Sequence, residues 1–492
     1  MREFPERPVG ARATFRARRL AAHTGALSAF RSSGRPPAAP ALLWAAVLAA
    51  FVTGCSSRSD VRSVVLVTID TWRADRFGAG GNPVVRTPHL DRFFRGATQF
   101  ADAWSAAPTT LASHSTMLTG LWPTEHGVPR NGWPLPPEVP TLAEELRKDG
   151  IATGAFVSSA ALDPAFGLAR GFDVYDASPT RAETRDQAWR PAPETIAKAE
   201  AWWPAAGRRR FLWVHFFEPH FPYEPDSADF ALYDTGYRGP ANGSMQYLRA
   251  LWSDSAPLPE DARAHLESLY VAEITGLDRK IGAFLEALAA EEGVLTVVTA
   301  DHGESLGEHG IRFLHGPGVY AGDVQVPLAV RGSRTFPPGI TRATVRTIDI
   351  PRTILAALGV RSKLAAEGED LASRVRGGEG EVAFSEASMP WNLEVEGRYP
   401  NLFKQRAVRT DRWTLVETPY LDRREWFVRA EDPGELGAPA AVAPEAQAVG
   451  LSKLLADWIA RGRPRRQPSD VDPALAEKLR SLGYVDGTSP SH

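Results

Sequence analysis

Short apolar runs alternate along the chain with longer stretches of mixed polarity. Ser63 to Ile69, Phe211 to Phe216 and Val294 to Thr299 are each dominated by β-branched, aliphatic or aromatic side chains. That is the signature of strands buried on both faces of a parallel sheet. Between them the spacing predicts helices, one over Thr141 to Lys148, stopped by Asp149-Gly150, and a long one around His265 to Ala290. Alternation of this kind predicts a doubly wound α/β sheet covered by helices. After about residue 360 the pattern changes. Glu367 to Glu381, rich in Gly and Glu, reads as a surface linker, and shorter strands are expected at Arg406 to Arg409 and Trp413 to Glu417. A Pro/Ala-rich span (Pro433 to Pro444) and a terminal helix near Pro473 to Leu482 complete a smaller C-terminal α+β subdomain.

The first 54 residues break this pattern. They hold eight arginines against two acids, Glu3 and Glu6, and end in the apolar run Ala41 to Val52. A basic lead, a short apolar run and then small residues predict a secretory signal, too short for a comfortable membrane span. Val52-Thr53-Gly54-Cys55 resembles the lipobox of bacterial lipoproteins, in which the cysteine is acylated. Cys55 is the chain's one cysteine, so no disulfide framework or thiolate metal cluster exists. The expected setting is extracytoplasmic, with the body tethered to a bacterial membrane through a lipid on Cys55. The full chain carries 56 basic and 59 acidic residues, and removing residues 1–54 leaves 48 and 57, a body near −9. Nucleic acid is therefore not an expected partner.

In open α/β sheets, sites form outside the carboxyl ends of the strands. The first strand ends in Asp70-Thr71, with Asp75 beyond; the strand near Val298 ends in Asp301-His302-Gly303-Glu304; the strand near Val214 runs into His215 and then Glu218-Pro219-His220. A lone acid after a buried strand also serves as a helix cap, but carboxylate and imidazole together suit a divalent metal of zinc, manganese, magnesium or calcium type. Residues 111 to 119 read as a helix stopped by Gly120, which places Thr109 or Thr110 at its N-cap. A hydroxyl there faces the partial positive charge that holds phosphate or sulfate oxygens. Beside a metal, such a hydroxyl becomes a competent nucleophile.

These segments, with Thr87-Pro88-His89-Leu90-Asp91, Leu118 to Pro123, His126-Gly127 and Gly307-Glu308-His309-Gly310, are similar, in order, to the motifs of the sulfatase-like hydrolases of the alkaline phosphatase superfamily. The resemblance covers about residues 62 to 360, with later fits at Arg409 to Trp413, Glu425 to Phe427 and Asp432 to Glu435. It implies an alkaline-phosphatase-like fold: a large mixed, mainly parallel sheet between helices, with a small C-terminal sheet. The implied division is a leader over 1–54, a catalytic domain over 62–360 and a C-terminal subdomain over 361–492. By the same resemblance Asp70, Thr110, Asp301 and His302 hold one divalent metal, and Thr110 is the nucleophile. His220, His309 and His315 are implied near the reacting oxygens, and His114, His220 and His315 at the substrate. A second metal would draw on Glu218, His220 and His315. His89, His126 and His215 read more simply as packing or capping residues.

The chain departs from true sulfatases where they carry Cys or Ser, converted to formylglycine, in a C/S-x-P-x-R run. Here that run is Thr110-Leu111-Ala112-Ser113-His114, and a threonine cannot become formylglycine. The family's sulfate-binding Lys and His are replaced by Ser158 and Ala160. The Thr-x-x-Ser-His run instead resembles superfamily members with an unmodified threonine, including nucleotide pyrophosphatase/phosphodiesterases. The leading expectation is thus a metal-dependent hydrolase of an anionic phosphate or related ester. A sulfuric ester hydrolase, a transferase of phospho-substituents, and a non-catalytic metal-binding lipoprotein that recognises anionic ligands are the rivals.

Overall fold

The computed structural model describes residues 60–182, 188–364, 367–388, 404–440 and 444–462. The leader, Cys55 and the expected helix near Pro473 lie outside the described residues. The strands expected from apolar runs form the middle of an eight-stranded sheet. In spatial order it runs Gly339–Thr341, Thr98–Phe100, Leu328–Arg331, Val294–Ala300, Ser63–Ile69, Arg210–Phe216, Ala152–Val157 and Val174–Asp176. The five strands from Val294–Ala300 to Val174–Asp176 are parallel, and Leu328–Arg331 pairs antiparallel with both of its neighbours. Every residue of Ser63–Ile69 and of Val294–Ala300 is buried, which explains why neither shows a polar alternation.

Helices cover the sheet. Leu142–Lys148 begins with a capping box in which the Thr141 hydroxyl accepts from the Glu144 amide, and it ends at Asp149, as the sequence indicates. The long helix starts earlier than its apolar pattern suggested, running Glu260–Ala290 directly after Pro259. Its first turn carries Glu260 and Asp261, acids that suit a helix N-terminus. Among the described residues no helix is long and apolar enough to cross a membrane.

The C-terminal part is a four-stranded antiparallel sheet: Ala383–Glu386, Arg406–Arg409, Trp413–Thr418 and Arg423–Val428. Leu451, Leu455 and Trp458 of the helix Glu445–Ala460 share an apolar cluster with Val408 and Leu415 of this sheet and with Ala106, Trp122 and Ile348 of the larger body. A buried Arg409–Glu435 ion pair (2.8 Å) sits where the Arg409 guanidinium also lies 4.1 Å from the centre of the Trp104 ring. Closer to the strand ends, the Ser388 amide donates to the Gly316 carbonyl (2.8 Å) and its hydroxyl meets that of Thr109 (2.6 Å). The small sheet is thereby fastened to the loop and helix that line the candidate site.

Candidate active site

Strand register explains why the acids meet. Ile69 lies opposite both Phe216 and Ala300, so the three central strands end level and Asp70 and Asp301 emerge side by side. Both carboxylates and His302 are fully buried. The Thr71 and His302 amides donate to Asp301 Oδ1 (3.3 and 2.8 Å), which leaves Oδ2 unmet. His302 donates from Nδ1 to the Gly303 carbonyl (2.8 Å), so its Nε2 lone pair points free. That nitrogen lies 3.6 Å from Asp70 Oδ1 and 3.5 Å from Asp301 Oδ2.

Atoms sharing a divalent ion at bond lengths of about 2.1 Å stand roughly 3.0–3.4 Å apart, so this spacing fits a cation with little adjustment. Electrostatics points the same way. Burial pushes both carboxyls above the ordinary range, and Asp70 raises Asp301 further, whereas His302 acts to lower both. Two adjacent buried acids with unmet oxygens form a donor set that a divalent cation neutralises.

Thr110 enters from the next element. It is the first residue of the helix Thr110–Thr119; Thr109 takes the N-cap position in an extended conformation, but its hydroxyl goes to Ser388 rather than to the helix. Asn131 Oδ1 accepts from the Leu111 amide instead (2.8 Å). The Thr110 hydroxyl lies near enough to Asp70 to favour its charged form, although no well-aligned hydrogen bond joins them. Gly120 ends the helix with φ 67°, a left-handed turn that suits glycine.

His114, one turn after Thr110, is fully buried and spends both ring nitrogens inside the protein. A carbonyl has no proton to give, so Nδ1 donates to the Thr110 carbonyl (2.7 Å). Nε2 then accepts from the Thr68 hydroxyl (3.0 Å), whose oxygen in turn accepts from Trp213 Nε1 (3.0 Å). Burial holds this imidazole neutral, down at about 3. His114 is thus a residue of the helix Thr110–Thr119 whose ring bonds back to the carbonyl of Thr110.

His220 and His315 form an imidazole wall beside the acids. Their rings are 4.9 Å apart; His315 lies 4.7 Å from His302 and stacks on Phe221. His220 Nδ1 is tied to the Phe221 carbonyl, while His315 Nδ1 has no partner. Burial drives both below the usual imidazole range, and neighbouring imidazoles push His315 further down. His309 is not brought to this wall. It adopts φ 53° and stacks on Tyr320 (3.5 Å, 6° between planes), with Glu425 and Glu435 of the C-terminal part as its charged neighbours.

The three-residue group for a second metal does not assemble either. Glu218 Oε1 accepts from the Ala192 amide and lies 3.8 Å from Lys280. Among the described residues the groups with metal-ligand spacing are Asp70–Asp301–His302 and an overlapping His114–His215–Asp301.

Sequence reasoning missed three participants. His215, read as packing, lies fully buried with its Nε2 3.5 Å from Asp70 Oδ2. Ser388 and the buried Lys404, whose ammonium reaches the Ser388 carbonyl (3.3 Å), approach through Thr109. An imidazole inside an otherwise apolar strand was an available signal for the first; the other two carry none, Ser388 standing just after the strand Ala383–Glu386 and Lys404 just before Arg406–Arg409.

Comparison with known proteins gives the family and agrees with the fold. The family profile described as Sulfatase matches residues 62–360. An ulvan-active sulfatase of Formosa agariphila is 26% identical over 389 residues, covering 72% of this chain and 73% of that protein. The multifunctional alkaline phosphatase superfamily protein PehA of Trinickia caryophylli is 23% identical, covering 63% and 76%. The crystal structure of a phosphonate monoester hydrolase of Agrobacterium radiobacter superposes with a TM-score of 0.62 at 21% identity, over 81% of this chain and 96% of that one.

Proposed function

The chain belongs to the sulfatase family, and from that premise we propose that it hydrolyses an anionic phosphate, phosphonate or sulfate ester by attack of the Thr110 hydroxyl. The observation that carries this reading is the position of Thr110: first residue of a buried helix, its hydroxyl facing Asp70 within a set of unmet donors. Asp70, Asp301 and His302 would hold a divalent cation, with Thr110 beside it; the cation supplies positive charge that favours an alkoxide and neutralises anionic ester oxygens.

The remaining roles belong to the protein. Thr110 Oγ1 gives its proton to water and forms a bond to the phosphorus or sulfur, the bond to the leaving oxygen breaks, and that oxygen, steadied by a hydrogen bond from an N–H of His315, takes a proton from water as it leaves as an alcohol. Water then attacks the same centre, which returns Thr110 to the free alcohol and releases the acid. An unmodified threonine ester must be cleaved by such an in-line water, and this favours phosphoryl or phosphonyl substrates over sulfate. His114 holds the Thr110 carbonyl and fixes the start of the helix from which the attack is made.

The test is turnover of bis-nitrophenyl phosphate, nitrophenyl phenylphosphonate and nitrophenyl sulfate by wild type and Thr110→Ala, with mass spectrometry of acid-quenched enzyme. Turnover falls by about 10³-fold or more in the variant, and an adduct maps to Thr110 in the wild type. Unchanged turnover in Thr110→Ala overturns the assignment. Turnover confined to the sulfate ester favours the sulfuric ester reading.

A further inference from the structure

His215 sits under the acidic cluster, and no role described above uses it. Its backbone is fixed on both sides, opposite Thr68 and Val157, and its carbonyl accepts from the Ser158 hydroxyl (2.7 Å). The ring is therefore carried at a set position beside the end of the first strand. It is fully buried, and neither nitrogen has a hydrogen-bond partner. A buried polar ring in a well-packed interior requires a partner for that lack of hydration.

The spacing identifies the partner. His215 Nε2 lies 3.5 Å from Asp70 Oδ2, well beyond the 2.9–3.0 Å typical of an N–H···O bond. It matches the 3.6 and 3.5 Å that separate His302 Nε2 from Asp70 Oδ1 and Asp301 Oδ2. His114 provides the contrast. It is grouped with His215 and Asp301 by distance, yet its Nδ1 proton goes to the Thr110 carbonyl and its Nε2 lone pair to the Thr68 hydroxyl. Of the two buried imidazoles, His215 alone keeps a nitrogen for a cation.

We propose that His215 Nε2 is a further ligand of the cation held by Asp70, Asp301 and His302, so that both oxygens of Asp70 face bound nitrogen donors. This rests on the cation reading of the preceding section. A set of two imidazoles and two carboxylates suits zinc, cobalt or manganese and disfavours calcium, which takes an oxygen-rich shell.

The test is titration of the metal-free full chain with Co²⁺, followed by calorimetry and by the visible absorption of the bound ion. The proteins are wild type, His215→Ala, His215→Gln, His114→Ala and Asp301→Ala, each checked for native packing by near-ultraviolet circular dichroism. The two His215 variants should weaken Co²⁺ binding about 100-fold or more, beyond the 10–100-fold typical of residues that merely support a ligand, and should shift the visible band. His114→Ala should keep the wild-type band. The glutamine variant keeps the ring's bulk and polarity, so the comparison survives if the alanine variant does not fold. Wild-type affinity and band in His215→Gln, with binding lost in Asp301→Ala, overturn the ligand assignment and leave the cation site standing. A weakened affinity with an unchanged band overturns it too, since His215 would then act only by orienting Asp70. Undiminished binding in Asp301→Ala overturns both this proposal and the cation reading beneath it.

Discussion

Replacing Asp301 by Asn should change the sign of its effect on stability according to whether a cation is present. His302 Nε2 lies within 3.6 Å of one acid and 3.5 Å of the other, so the carboxylate oxygens of Asp70 and Asp301 stand within about 7 Å of each other. With both ionised, at an effective dielectric near 20, their repulsion is at least about 2 kcal/mol before any burial cost. Asparagine keeps an oxygen for the Thr71 and His302 amides and turns an NH₂ toward the unmet His302 nitrogen. In chelator the variant should therefore be more stable than wild type by about 2 kcal/mol.

With cation the order reverses. An ion at 1,000 times its Kd stabilises the fold by about 4 kcal/mol, and loss of an anionic ligand that weakens binding about 10³-fold removes nearly all of that. The variant should then be the less stable protein by about 2 kcal/mol. Urea unfolding in EDTA and in millimolar Zn²⁺ or Mn²⁺ measures both differences. A variant that is less stable in both conditions refutes the argument that the two acids are paired for a cation.

Two further outcomes follow. Glu273, buried on the long helix and accepting from the Glu224 amide, is pushed up to about 8, mainly by burial, with Lys280 opposing. Because its folded-state pKa is raised, its contribution is full below about pH 4.5 and is lost as pH climbs through 8. The thermal midpoint of Glu273→Gln relative to wild type should accordingly be higher at pH 9 than at pH 5; a difference that does not change with pH would contradict this. We also propose an extracytoplasmic, lipid-anchored setting on the strength of the leader and Cys55; cells fed a labelled fatty acid should label the wild-type chain and not Cys55→Ser, and equal labelling of both would exclude acylation at that residue.

Much of this site was readable because its residues follow buried strands. Asp70, Asp301 and His302 stand immediately after runs whose apolar character alone marks them as central, and such positions open onto the crevice of the sheet. His215 was not readable in the same way. It lies within its strand, and which face an in-strand residue occupies relative to its neighbours depends on register, which long-range pairing decides. The choice between Thr109 and Thr110 was open for a related reason: the rival for the Thr109 hydroxyl is Ser388, 279 residues away. The edge strand Arg423–Val428 escaped notice because Arg423, Arg424 and Glu425 interrupt the apolar pattern; they pair across the sheet or with one another instead. His309 carried a suggestive neighbourhood in sequence, but a left-handed backbone turn directs its ring onto Tyr320.

The donors proposed for the cation come from distant parts of the chain. Asp70 and Asp301 each follow a different strand and His215 lies within a third, and only Asp301 and His302 are neighbours in sequence. An unfolded polypeptide thus offers at most one adjacent pair, a weak chelate, until strands more than two hundred residues apart have aligned. On the proposed cation reading, ion uptake would consequently be a terminal event in the maturation of this protein. In refolding experiments it would report completion of the central sheet and would not template it.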